Sequence, residues 1–155
     1  MSPPFPKFRE LIIRPVLEEL EMWSPAAENL VFGTALTESG LGYLKQTGKG
    51  PALGLWQMEP ATVRDISRYL ARRLDLRDRL RPYCIDWPFD PDELPGNLYL
   101  SCALCRIHYW RVPDALPRAD DLAGLGRYWK QYYNTINGAG TVNDFLLRAG
   151  RILED

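Results

Sequence analysis

Apolar residues recur along this chain at intervals of three and four, the spacing that gathers them on one face of a helix, and no convincing hairpin interrupts them. Phe8, Leu11, Ile12, Val16, Leu17 and Leu20 mark a first helix. Pro15 lies inside it and predicts a kink or split, because proline lacks a backbone donor and crowds the preceding turn. Ser24-Pro25 reads as an N-cap followed by proline at the first helical position. The second helix runs from there to about Glu38, with Leu30, Val31, Phe32, Ala35 and Leu36 on its buried side, and stops near Gly40.

Residues 39 to 58 carry Gly40, Gly42, Gly48, Gly50, Pro51 and Gly54 and read as a long loop. A third helix begins near Pro60 and buries Val63, Ile66, Tyr69 and Leu70. Arg64, Arg68, Arg72 and Arg73 form its solvated face. Residues 81 to 96, rich in proline and aspartate, read as irregular. A fourth helix spans about Asn97 to Trp110. Asp120 and Asp121 are caps for a fifth that ends near Asn134, and Thr141 caps a sixth with Val142, Phe145, Leu146 and Ala149 inward. With no internal repeat and no long linker, the expectation is a mostly α single domain over residues 1–155, of about six helices and one long loop.

The length of 155 residues suits one domain with one substantial core. A formal net charge of -1 argues against a nucleic-acid binder that relies on a strongly basic surface. No apolar run approaches the ~20 residues of a membrane helix, so no membrane insertion is expected. Met1-Ser2-Pro3-Pro4-Phe5-Pro6-Lys7 lacks the charged-then-apolar pattern of a signal peptide. A substrate outside the cytoplasm would therefore need another delivery route.

Three cysteines make a poor disulfide framework. Cys84, Cys102, Cys105 and His108 are four zinc-type ligands, but their spacing fits no common zinc module, and free cysteines often pack as small hydrophobes. No metal and no cofactor is expected.

The candidate chemistry lies at Glu38, at the end of an apolar helix and ahead of a glycine-rich loop. A carboxyl group in the last turn meets the negative end of the helix dipole, and partial burial acts in the same direction. Both raise its pKa toward that of a general acid at neutral pH.

Glu38-Ser39-Gly40, followed by Gly54-Leu55-Trp56-Gln57-Met58-Glu59-Pro60-Ala61-Thr62, resembles the soluble lytic transglycosylase family, whose pattern is Glu-Ser-Gly and then Gly-x-x-Gln-x-x-Pro-x-Thr. The stretch from Asn97 to Leu104 is similar to the family's helix that begins with asparagine. Tyr132-Tyr133-Asn134-Thr135 resembles its Ala-Tyr-Asn-Ala-Gly segment, with Tyr132 in place of the small residue and Thr135-Ile136 in place of Ala-Gly. The likeness covers about residues 25–140. Tyr128 to Thr135 is further similar to phage-encoded, virion-associated members.

The resemblance implies a lysozyme-like domain that cleaves bacterial peptidoglycan between N-acetylmuramic acid and N-acetylglucosamine and forms a 1,6-anhydro sugar. Glu38 would be the sole catalytic acid and base, since substrate-assisted glycosidases need no second carboxylate. Ser39 would support Glu38 or a sugar, or else serve as a turn residue. Gly54 would let the backbone approach the sugar, or else simply turn the chain. Gln57 would offer a donor and an acceptor to the acetamido group. Trp56 and Met58 would touch sugar faces or pack the core, while Pro60 and Thr62 would shape the third helix. Tyr133 would place its hydroxyl near Glu38, and Asn134 would contact the sugar or fix the helix end.

The implied partners are peptidoglycan glycan strands and other virion proteins, with delivery by the virion or to the periplasm and cell wall. Glu59, Asp65, Asp86 and Asp90 are candidates for a second carboxylate. They keep open hydrolysis of the same bond, as in goose-type lysozymes. A glycan-binding virion protein without turnover is the reading from another class.

Overall fold

Pro15 does not break the first helix; the helix widens around it. The computed structural model describes residues 5–42, 44, 50–84, 87–135 and 138–154. In it, α1 (Phe5–Phe8) passes through a π-helical turn (Arg9–Ile13) into α2 (Arg14–Glu19). The Arg14 N–H reaches back five residues to the Arg9 carbonyl. Pro15 has no N–H to offer the Leu11 carbonyl, and its ring would crowd that carbonyl in a regular turn. The wider turn relieves both problems.

The next helix, α3 (Pro25–Glu38), starts where its signals lie: Ser24 Oγ accepts from the Ala27 N–H at 3.0 Å, and Pro25 opens the helix. It is buried on all sides rather than along one stripe, because Gly33, Thr34, Thr37 and Glu28 are buried along with the apolar residues. Its polar groups are all bonded. Thr34 and Thr37 donate to the Leu30 and Gly33 carbonyls, each at 2.7 Å. The Glu28 carboxylate accepts from Arg9, Arg14 and Trp23. Burial alone would raise the Glu28 pKa, but the bonds from Arg14, Arg9 and Trp23 hold it below the ordinary value.

The chain continues through α4 (Pro60–Leu70), α5 (Leu74–Leu80), a 3-10 turn (Pro91–Gly96), α6 (Leu98–Trp110), α7 (Leu122–Trp129) continued by a π-helical turn (Lys130–Asn134), and α8 (Val142–Glu154), and of these α6, α7 and α8 pack on α3. The packing of α8 on α3 requires Gly33: a Cβ there would sit 2.5 Å from the Phe145 ring. Asn97 caps α6 by accepting from the Leu100 N–H at 3.0 Å, and Asp121 caps α7 by accepting from the Gly124 N–H at 2.9 Å. Asp120 instead pairs with Arg118. Thr141 and Asp144 form a reciprocal box at the start of α8, each side chain accepting from the other's backbone N–H.

Among the described residues the chain is thus mostly helical, with eight α-helical segments against the expected six. Of the expected irregular region, 91–96 is a 3-10 turn. α5 was not expected at all: only Leu76 and Leu80 of its seven residues are buried, too few to mark a period. No helix among the described residues is long and apolar enough to cross a membrane. Gly48, Asp86 and Ile136 lie outside the described residues.

Candidate active site

Glu38 is the last residue of α3, and the chain leaves the helix through Gly40 and Leu41 at φ 61° and 60°. The Ser39 hydroxyl, buried at 6% exposure, donates to the Leu55 carbonyl at 2.6 Å and accepts from the Leu41 N–H at 3.2 Å. Ser39 thereby fastens the end of α3 to the turn that carries Gln57.

That turn is closed by paired backbone bonds between Leu53 and Met58, at 2.9 and 3.0 Å. Gly54 sits at φ 78°, where a side chain is strained. A Cβ there would also meet Ser101 Oγ at 3.2 Å and the Leu94 carbonyl at 3.3 Å. The Gly54 carbonyl accepts both the backbone N–H of Gln57 at 3.0 Å and its Nε2 at 2.8 Å. Gln57 itself is held at φ 48°. Such a backbone costs on the order of 1–3 kcal/mol and persists because the surrounding bonds over-determine it.

The third wall comes from the π-helical turn that ends α7. There Lys130 Nζ donates to Asn134 Oδ1 at 2.7 Å and to the Gly138 carbonyl at 3.0 Å. Among the described residues the Asn134 Nδ2 donors and the Gln57 Oε1 acceptor have no hydrogen-bond partner.

These segments enclose a cleft of about 450 Å³. Of the residues singled out in the sequence, Glu38, Gln57, Met58, Tyr133 and Asn134 line it. Ser39 and Gly54 do not; they hold the walls from behind. The close approach that requires Gly54 is that of the protein's own Leu94 carbonyl. Trp56 is a core residue at 1% exposure, with Nε1 donating to the Val31 carbonyl at 2.9 Å. Tyr133 donates its hydroxyl to the Trp56 carbonyl at 2.5 Å, so it braces the wall rather than presenting that proton to Glu38. Thr62, expected only to shape α4, lines the cleft as well.

The sequence reading missed two groups. Trp129 Nε1 donates to Glu38 Oε1 at 3.1 Å across 91 residues of chain. His108 lines the cleft from α6. Its Nε2 lies 2.7 Å from the Tyr132 carbonyl and its Nδ1 2.9 Å from an Arg111 N–H donor. A carbonyl only accepts and a guanidinium only donates, so Nε2 carries the proton and Nδ1 accepts. Burial lowers the His108 pKa to about 4, leaving the ring neutral near pH 7.

Glu38 moves the other way. Burial raises its pKa to about 7, against the opposing pull of the Trp129 N–H and the Arg148 charge. The two glutamates of α3 are therefore tuned apart: Glu28 is held charged by two guanidinium groups, and Glu38 is poised to hold or release a proton near neutrality.

Of the four acids considered as a second carboxylate, Glu59 lines the cleft. Asp65 pairs with Arg68 at 2.6 Å, and Asp90 caps the 3-10 turn by accepting from the Asp92 N–H. Cys102 and Cys105 are fully buried, and burial pushes both thiols up. Among the described residues no group of three or more His, Cys, Asp or Glu is placed to hold a metal ion. No protein-family model, curated protein or solved structure matches this chain.

Proposed function

We propose that this protein is a peptidoglycan lytic transglycosylase on a lysozyme-like fold, with Glu38 as its single acid and base. The observation that carries the reading is a half-buried Glu38 with its pKa raised to about 7, in a cleft it shares with Gln57, Tyr133 and Asn134. These are residues of the motif that resembles the soluble lytic transglycosylases. The virion setting rests on the likeness of residues 128–135 alone.

An indole N–H can only donate, so Glu38 Oε1 accepts from Trp129 in either protonation state. In the proposed reaction the neutral Glu38 carboxyl group protonates the glycosidic oxygen as its bond to the muramoyl C1 breaks. The acetamido oxygen of the same sugar supports the cationic C1, as in substrate-assisted glycosidases. The C6 hydroxyl oxygen then bonds to C1, and its proton passes to the Glu38 carboxylate. Water takes no part, and Glu38 ends as it began. The Gln57 acceptor and the Asn134 donors, unpaired among the described residues, match the N–H and C=O of an acetamido group.

The second reading is hydrolysis of the same bond, and the observation that favours it is Glu59 in the cleft wall, where a carboxylate could activate a water. Digestion of purified peptidoglycan followed by mass spectrometry separates the two, because the anhydro product is one water lighter than the hydrolytic one. Glu38→Gln is expected to abolish release while the protein stays folded. Full activity of that variant, or binding of peptidoglycan with no product at all, overturns the assignment.

A further inference from the structure

Arg106 and His108 are two residues apart on α6, so their side chains leave the helix roughly 200° apart. His108 faces the cleft. Arg106 faces a second cavity, of about 200 Å³, on the other side of the helix.

Arg106 is 5% exposed. Its Nε–H donates to the Met22 carbonyl at 3.0 Å. Its four terminal N–H groups meet no acceptor among the described residues, and no carboxylate there pairs with it. A guanidinium stays charged in proteins, and its terminal nitrogens are not among the buried polar atoms left without a partner, so they keep contact with solvent, where a ligand can meet them. The other sign is present at the same cavity. The Asp114 carboxylate accepts a hydrogen bond from the Tyr132 hydroxyl, and no cation pairs with it among the described residues. Trp110, 48% exposed, lines the same cavity with the Arg106 guanidinium 5.4 Å from its ring centroid, and Val112 and Leu116 add apolar wall.

We propose that this cavity binds a zwitterionic α-amino acid group, with its carboxylate on Arg106, its ammonium on Asp114 and its side chain against Trp110. The guanidinium fork suits a carboxylate, which it can hold through two parallel bonds. A bare anion would meet the charge of Asp114 and a bare cation that of Arg106, so only a ligand with both signs satisfies the pair. The volume is below the ~300–1,000 Å³ of drug-sized sites and fits a single amino acid. The inference stands apart from the reading of the Glu38 cleft and survives its failure.

The test is an NMR titration of the full chain with norvaline of either hand, with pentanoate (no ammonium) and with butylamine (no carboxylate). Norvaline is expected to shift the Trp110 indole N–H and the Arg106 Nε–H saturably, while the other two leave both unmoved at the same concentration. Asp114→Asn is expected to weaken norvaline about tenfold and to let pentanoate bind, because the repelling charge is gone. Arg106→Gln is expected to abolish norvaline binding, but it gives up the Met22 bond and can unfold. The exposed Asp114→Asn variant therefore carries the test by itself. No saturable shift with norvaline in the native protein, or unchanged norvaline binding in Asp114→Asn, overturns the proposal.

Discussion

The indole N–H of Trp129 donates to Glu38 Oε1 at 3.1 Å from a ring only 1% exposed. Trp129 packs against Phe145 of α8, with ring centroids 6.0 Å apart, so the donor cannot swing away without opening the core. It lowers the affinity of Glu38 for its proton.

Trp129→Phe keeps most of the packing and removes the N–H. The Glu38 pKa is expected to rise above about 7, because the lost bond favoured the carboxylate. The alkaline limb of the pH–rate profile should move to higher pH, and the carboxyl carbon of Glu38 should titrate later by NMR. Stability should fall by about 1 kcal/mol or slightly more, the worth of the bond and a little packing. An unmoved titration would show that the bond does not tune Glu38.

The pH dependence of stability should reveal two opposed groups. Glu38 has its folded pKa raised from 4.5 to about 7, so its contribution is full below pH 4.5 and is lost as pH rises through 7. His108 has its folded pKa lowered from 6.5 to about 4, so its contribution is full above pH 6.5 and is lost as pH falls through 4. Each amounts to about 3 kcal/mol, and between pH 4.5 and 6.5 they nearly cancel. Glu38→Gln should therefore gain stability as pH rises from 4 to 6.5. His108→Gln, which can still donate to the Tyr132 carbonyl, should lose stability as pH rises from 4.5 to 7. Urea unfolding across this range reads both slopes.

Gly54→Ala should be costly out of proportion to one methyl group. It places a side chain at φ 78° and presses a Cβ against the Leu94 carbonyl and Ser101 Oγ. A loss of about 1–3 kcal/mol is expected in denaturant unfolding. Peptidoglycan release should fall as well, because the Gly54 carbonyl holds the backbone N–H and the Nε2 of Gln57.

Ser39→Ala tests the staple behind the acid. It leaves the buried Leu55 carbonyl without its 2.6 Å donor, which should cost about 1–3 kcal/mol. If Ser39 only positions the loop, glycan affinity should drop less than turnover, since the hydroxyl does not line the cleft. A loss confined to affinity would return Ser39 to the substrate contacts.

The sequence by itself determined what neighbouring residues decide among themselves. Ser24-Pro25, Asn97, Asp121 and the Thr141–Asp144 pair start helices because a cap needs only its own next three residues. The order Glu38, Gln57, Tyr133 and Asn134 could be read along the chain for the same reason, each from its local motif. α5 left little trace, being too short for a period, and Pro15 marked a disturbance without saying that a π turn would absorb it.

Only the tertiary structure decided what each group faces. α3 is buried on all sides because helices distant in sequence close around it, and its composition alone shows just an apolar helix. Trp129 reaches Glu38 across 91 residues, and His108 reaches the same cleft from α6. Ser39 and Gly54, read as sugar contacts or as turn residues, make their bonds and close approaches within the protein behind the cleft wall, and a hydroxyl or a glycine carries no local sign of where its partner will come from. The raised pKa of Glu38 follows from burial, and burial belongs to the assembled chain.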